Sequence, residues 1–314
     1  MGSLTTATLN YQLTNFAVGF MNDLTDTMRL AERLAPTTPV PGTTGQYKVF
    51  NDKNSFLPET TARALGGDPK LIAFSASDGT YSTKPQGLEV RVDKEEENAA
   101  GSAGGALSAQ LIDEGKIKAL LNKKALSHVK DVADFVLANT TAVAGRGNWT
   151  NPDIDPIDQL DEQLLALSLA CGTTQNIKVT LDTAAWSALR SNAKVKARST
   201  GVQVGSVSLE QFGGLLIFPV DVMVANVVYD ANALGLAASK TRVLASVALV
   251  HYSVPNATLY DPSPFKTFTV GASGMVAGVR SYQAPNELWR GHIVDWSRDI
   301  KQTSTQAMIR LNIT

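Results

Sequence analysis

Few side chains in this 314-residue chain have the type and spacing for chemistry. Three histidines, His128, His251 and His292, stand far apart. No His-x3-His pair exists to set two imidazoles on one helix face for a metal, so three unrelated structural histidines are expected. The one cysteine, Cys171, allows neither an internal disulfide nor a cysteine-rich zinc site. It closes an apolar helical stripe and reads as a small core residue. The acidic run Asp153, Asp155, Asp158, Asp161 and Glu162 matches a calcium loop at its first two ligands only. It lacks the turn glycine and a correctly spaced bidentate Glu, so helix capping explains it better. Residues 235–241 (GLAASKT) place Ser239 where a phosphate loop requires glycine, and residues 271–274 (GASG) miss the nucleophile elbow by one position. A paired-carboxylate or Ser/His/Asp site built from distant residues would leave no local signature and stays open.

Bulk properties narrow the classes further. Lys and Arg number 28 against 29 Asp and Glu, a net charge of -1. A sequence-blind nucleic-acid binder needs a basic surplus to displace counterions, so strong DNA binding is not the main task expected. The apolar share of 44% supports a packed core, and the length suits two domains or one with large extensions. Asn-x-Thr triplets at Asn139, Asn148, Asn256 and Asn312 read as chance in a chain rich in both residues. Gly2 with Thr6 formally meets the myristoylation pattern. The first residues carry no basic or apolar signal region, and the longest apolar run, residues 243–250, is too short to span a bilayer. A soluble, non-secreted protein without cofactor, metal or membrane is expected.

The elements that must position these residues follow from periodicity. Residues 15–34 read as helix, with Met21, Leu24, Met28 and Ala31 at spacings of three and four. Residues 35–45 (APTTPVPGTTG) read as an extended linker whose prolines block helix and discourage central-strand pairing. Residues 47–50 (YKVF) open a short strand, and residues 88–93 (LEVRVD) alternate cleanly as a second. The economical reading joins them as one long hairpin arm. A lone two-stranded arm is marginal in water, so it is expected to lie on a neighbouring copy. A long helix follows over residues 107–139, with the stripe Ile117, Leu120, Leu121, Ala125, Val129, Val132 and Val136. Lys116, Lys118, Lys123, Lys124 and Lys130 give it a basic face, read as solvated and balanced in part by Asp131 and Asp134. Asp155, Pro156 and Asp158 mark a well-capped helix that Gly172 ends. Beyond it short strands alternate with helices: residues 176–181, a helix capped by Asp182, residues 214–224, residues 243–251, and strands from residue 275 onward. Such mixing points to an α+β core.

The order of these segments resembles the tailed-bacteriophage major capsid proteins with the Hong Kong 97-type fold. Residues 186–198 (WSALRSNAKVKAR) resemble that family's Trp-x-x-Leu helix and basic connection. LEQFG at residues 209–213 and LLIFPVDVMVANV at residues 215–227 resemble its lead into a central strand. Residues 229–233, 238–239 and 243–250 follow in family order, as do residues 255–268 (PNATLYDPSPFKTF). Leu288, Trp289, Arg290 and residues 296–299 (WSRD) look like its closing strands. No single piece is diagnostic; the specificity lies in their order.

The resemblance implies an N-terminal arm over residues 1–45 and an extended β-hairpin loop over residues 46–98. It implies a peripheral domain from residues 99–143 and 271–314 that carries a long spine helix, and an axial α+β domain over residues 144–270. It implies no catalysis but self-assembly into hexamers and pentamers of an icosahedral shell around double-stranded DNA. The implied partners are other copies, a scaffolding protein, a portal, a decoration protein and weak non-specific contact with packaged DNA. The implied place is the virion, assembled in the bacterial cytoplasm. Tyr47, Phe50, Glu59, Arg63, Lys84 and Arg91 are the candidate inter-subunit contacts. Some members cross-link a lysine to an asparagine; nothing marks Lys53, Lys70 or Lys84 as reactive. Two other readings stay open: an encapsulin-like compartment shell, and a cytosolic enzyme with a non-local site.

Overall fold

The computed structural model describes residues 7–23, 25–49, 61–63, 65–68, 77–101, 106–199, 207–255, 257–259, 261–271 and 278–313. Its strands are β1 (Thr8–Leu9), β2 (Thr37–Val40), β3 (Thr44–Val49), β4 (Ser77–Ser82), β5 (Lys84–Asp93), β6 (Ile177–Asp182), β7 (Asp221–Ala225), β8 (Val228–Asp230), β9 (Lys240–Arg242), β10 (Val247–Tyr252), β11 (Phe265–Val270), β12 (Val279–Gln283), β13 (Trp289–Gln302) and β14 (Met308–Asn312). The first helical residues run Tyr11–Asp23 and Thr25–Leu34, and the long helix spans Ala106–Asn139.

One sheet, ordered β14-β10-β6-β7, draws all its strands from the second half of the chain. Its strand β10 is buried along its whole length, because two cores share it. Ala248 and Val250 face a core with Trp149, Phe212 and the capped helix Pro156–Cys171. Val247 and Leu249 face a second core with the long helix and Leu30 and Leu34. That explains an apolar run without the usual alternation. The capped helix buries Leu160, Leu164 and Leu167 completely, each worth about 1.5–3 kcal/mol. Asp155 accepts the Ile157 amide at its start, and Gly172 ends it at φ 65, a left-handed conformation that favours glycine. Cys171 is half-buried against this core.

Asp182 closes β6 and opens the helix Thr183–Ser191. Its buried Oδ2 accepts from the Ala184 amide at 3.1 Å and the Ser246 amide at 3.0 Å. Ser246 sits at φ 51, uncommon for a non-glycine residue. One carboxylate thus caps a helix and pins the turn that delivers β10.

The second sheet is built on the 14-residue β13. The Lys94 amide donates to Leu288 O at 2.8 Å. With the register Trp289↔Asp93 through Arg298↔Lys84, this makes the even-numbered β13 residues the ones bonded to β5. Ala284 N donates to Trp289 O and Thr303 N to Pro264 O, so the odd-numbered residues bond β12 and then β11 on the opposite side. The prolines of residues 35–45 are accommodated as expected. Pro39 lies in β2, which pairs with β11 at the end of the sheet order.

One expectation is corrected here. Residues 88–93 do not close a hairpin with residues 47–50. They belong to β5 and pair with β13, while β3 pairs with β4 in the register Thr44↔Ser82 to Val49↔Ser77. The clean alternation of residues 88–93 reports a strand packed against the long helix, where Val92 is buried and Val90 half-buried. Alternation alone does not name the partner strand.

Candidate assembly surface

The β3–β4 hairpin stands on its own protomer at its base. Tyr47 lies opposite Gly79 and Tyr81 opposite Gly45. A Cβ on either glycine would overlap the facing ring, so each tyrosine lies flat across the strand in space only glycine leaves. Both rings meet Phe268, at centroid distances of 5.2 and 4.9 Å. Tyr47 Oη donates to Gln302 O at 3.2 Å, and the Ser82 amide donates to Asp299 at 2.8 Å. Burial, then the charge of Asp299, pushes the Tyr47 phenol above its ordinary value.

The expected contact residues therefore divide. Tyr47 is spent inside its own chain. Phe50 and Glu59, with Lys53 and Lys70, lie outside the described residues. Arg63 is exposed and donates to Gly67 O at 3.2 Å. Lys84 is exposed at the start of β5. Arg91 is exposed but stacks over the Trp289 ring at 4.1 Å and pairs with Glu89 at 2.7 Å.

The basic face of the long helix also divides. Lys116 pairs with Glu96 at 2.6 Å and donates to Arg91 O at 3.0 Å. Lys130 pairs with Asp134, and Lys118 lies over Phe20 at 5.2 Å. Lys124 is not part of a solvated face. It is 1% exposed, with its ammonium over Trp296. The signal was present in the spacing: Leu121, Lys124 and His128 step by three and four along the buried stripe.

Four of the five acidic side chains in the run are engaged. Asp155 caps its helix and, with Asp158, binds Arg198. Glu162 takes Arg146 through both oxygens at 2.9 and 3.0 Å. Asp161 accepts the Ile217 amide at 2.9 Å. Among the described residues no group of three or more His, Cys, Asp or Glu could hold a metal, and no helix is long and apolar enough to cross a membrane.

The three histidines are buried in separate places. His251 contacts Thr180 at 3.1 Å, and Arg33 donates to Thr180 at 3.0 Å and pairs with Asp221. His128 meets Arg298, which is paired with Asp131. His292 belongs to a serine–histidine–aspartate row that sequence reading could not locate. Ser281 Oγ lies 2.8 Å from His292 Nδ1, and His292 Nε2 lies 3.1 Å from Asp113 Oδ1. His292 Nε2 makes no hydrogen bond there, although Asp113 feels the contact. Burial would raise the Asp113 carboxyl, but His292 and Arg290 together hold it below its ordinary value. Arg290 already binds the same Oδ1 at 3.0 and 2.8 Å. Ser281 lies in a strand paired on both sides, with β1 and β13. The adjacent cleft of about 170 Å³ is lined by Val92, Lys94, Glu97, Trp289 and Arg290 among others, not by Ser281. Nucleophilic catalysis needs a reachable serine and free donors for an oxyanion; this row joins helix to sheet.

Several large apolar side chains also face outward. Leu165 and Leu169 on the capped helix, Leu234 and Leu236 between β8 and β9, and Leu288 before β13 are all exposed. The protomer exposes 17437 Å², whereas a compact monomer of its 33.4 kDa mass would expose about 12,600 Å².

Solved structures share this arrangement over nine tenths or more of the chain. A phage-related protein of Bordetella bronchiseptica RB50 superposes with a TM-score of 0.73 at 19% identity, covering 98% of this chain and 98% of its own. The chain has the Hong Kong 97-type capsid fold. A candidate capsid protein of a prophage of Escherichia coli CFT073 matches at TM-score 0.57 and 10% identity, over 98% of this chain and 100% of its own. The capsid of cyanophage P-SCSP1u matches at 0.54 and 12%, over 90% and 86%. No family model and no curated protein matches the chain. Ala106–Asn139 resembles the spine helix of this fold, and the sheet built on β13 resembles its peripheral sheet.

Proposed function

We propose that this protein is the major capsid protein of a tailed bacteriophage. Many copies assemble as hexamers and pentamers into an icosahedral shell around double-stranded DNA. The observation that carries this reading is a fold shared with a candidate prophage capsid protein over 98% of the chain. The large exposed area supports it, because such a protomer gains stability by burying its surplus on neighbours. The net charge of -1 supports it too, since copies approach without strong mutual repulsion. The work is assembly, without catalysis or cofactor, and the place is the virion, after assembly in the bacterial cytoplasm. A scaffolding protein, a portal and a decoration protein are the further partners this role calls for, with weak non-specific DNA contact at the inner wall.

The test is to purify the chain and examine it by sedimentation and electron microscopy. Closed shells are expected. A strictly monomeric or dimeric species at high concentration would overturn the reading. Protein cargo inside the shells in place of DNA or scaffold would make it a compartment shell instead.

A further inference from the structure

The peripheral sheet ends in an open ladder. Among the described residues β5 pairs only with β13, through Lys84, Gln86, Leu88, Val90 and Val92. The alternate residues, Pro85, Gly87, Glu89, Arg91 and Asp93, turn their backbone groups away from β13. Two independent features agree with this phase. Lys116 reaches over from the spine helix to bind Arg91 O. Pro85, which has no N–H, falls on the outward phase, the place an edge strand tolerates proline. Among the described residues that leaves the N–H and C=O of Gly87 and of Glu89, with the Arg91 N–H, as an unpaired run. Leu88 beside it is 37% exposed.

We infer that this edge accepts an extended segment of a second copy of this chain, which adds a strand to the peripheral sheet next to β5. The inference rests on the shell reading and deepens it. Strand addition supplies directional main-chain bonds and fixes register. An apolar contact over Leu88 alone would not. Gly87 suits the role, since no side chain there screens the ladder. The occupant is a sister copy because the protomer's surface exceeds that of a compact monomer of its mass and its near-zero net charge favours self-association.

The test uses the full chain in two forms, Gly87→Pro and Gly87→Ala. Proline removes the outward N–H. Alanine keeps it, and its Cβ would meet nothing closer than 3.6 Å. Gly87→Ala is expected to assemble like the wild type, while Gly87→Pro folds with an unchanged circular dichroism spectrum and stays small in sedimentation. Hydrogen exchange provides a readout that does not depend on the variant folding. In wild-type protomers the amides of Gly87, Glu89 and Arg91 should exchange fast and those of Leu88 and Val90 slowly. In assembled particles all five should be protected. Normal assembly of Gly87→Pro, or equal exchange of the three outward amides in protomer and particle, overturns the inference and leaves the shell reading standing. A wild type that never assembles overturns the shell reading, and this inference with it.

Discussion

The ammonium of Lys124 lies 4.5 Å from the centre of the Trp296 ring, under the spine helix and out of water. It has no hydrogen-bond partner among the described residues. Burial, then the charge of Arg298, pushes its pKa from 10.5 down to about 7, against the opposing pull of Asp295. His128, one turn on, is driven well below its ordinary value by burial, Arg298 and Lys124. Arg298 is itself lowered by burial despite Asp131. Helix and sheet thus meet across three basic groups that resist being charged together.

A pH dependence follows from Lys124. Between about 7 and 10.5 the unfolded chain still holds the Lys124 proton and the folded chain has released it. The unfolded state binds more protons there, so stability rises with pH across that window, by up to about 1.4 kcal/mol per pH unit. Below the folded value both states are protonated and Lys124 adds no slope. Lys124→Met should flatten the rise, read by urea unfolding at pH 6, 7, 8 and 9. A variant whose slope matches the wild type would show that Lys124 keeps its ordinary proton affinity.

The double duty of Asp182 gives a second prediction. Asp182→Ala removes the cap of the helix Thr183–Ser191 and frees the Ser246 amide. The expected loss is about 1–3 kcal/mol, a helix cap together with an unpaired buried amide. Asp182→Asn keeps one acceptor oxygen and should recover part of that loss. Chemical denaturation of the three proteins gives the comparison; an alanine variant as stable as the wild type would contradict the role.

The hairpin base depends on glycine in a way that double substitution can expose. Gly79→Ala drives a Cβ into the Tyr47 ring, an overpacking expected to cost about 1–3 kcal/mol. Adding Tyr47→Leu should relieve much of it, leaving a coupling of about 0.5 kcal/mol or more. Additive effects in the double-mutant cycle would mean that ring and glycine do not touch.

Much of this fold was legible in the sequence where a local rule acts alone. Asp155, Pro156 and Gly172 bounded a helix because caps satisfy orphan backbone groups within a few residues. Asp182 announced its helix for the same reason. The order of segments carried the fold. Strand partnership was not legible. Residues 88–93 alternate equally well beside any neighbour, and their partner lies some 200 residues on. Lys124 was misread because a lysine is seldom fully buried; only its phase in the stripe argued otherwise. The histidine row escaped because Asp113, Ser281 and His292 come together only through the pairing of β12 with β13 and the packing of the spine helix.

That row permits a last, discriminating prediction. Its distances alone would suit a serine hydrolase, but Ser281 sits in a doubly paired strand beside a histidine that is 1% exposed. The Asp113 oxygen it would need is already bound by Arg290. A fluorophosphonate probe, which traps activated serines, should leave Ser281 unmodified in protomer and particle alike. Ser281→Ala should cost only about 0.5–1.5 kcal/mol, one hydrogen bond. A covalent adduct on Ser281, abolished by both Ser281→Ala and His292→Ala, would instead establish a working nucleophile and return the protein to the enzymes.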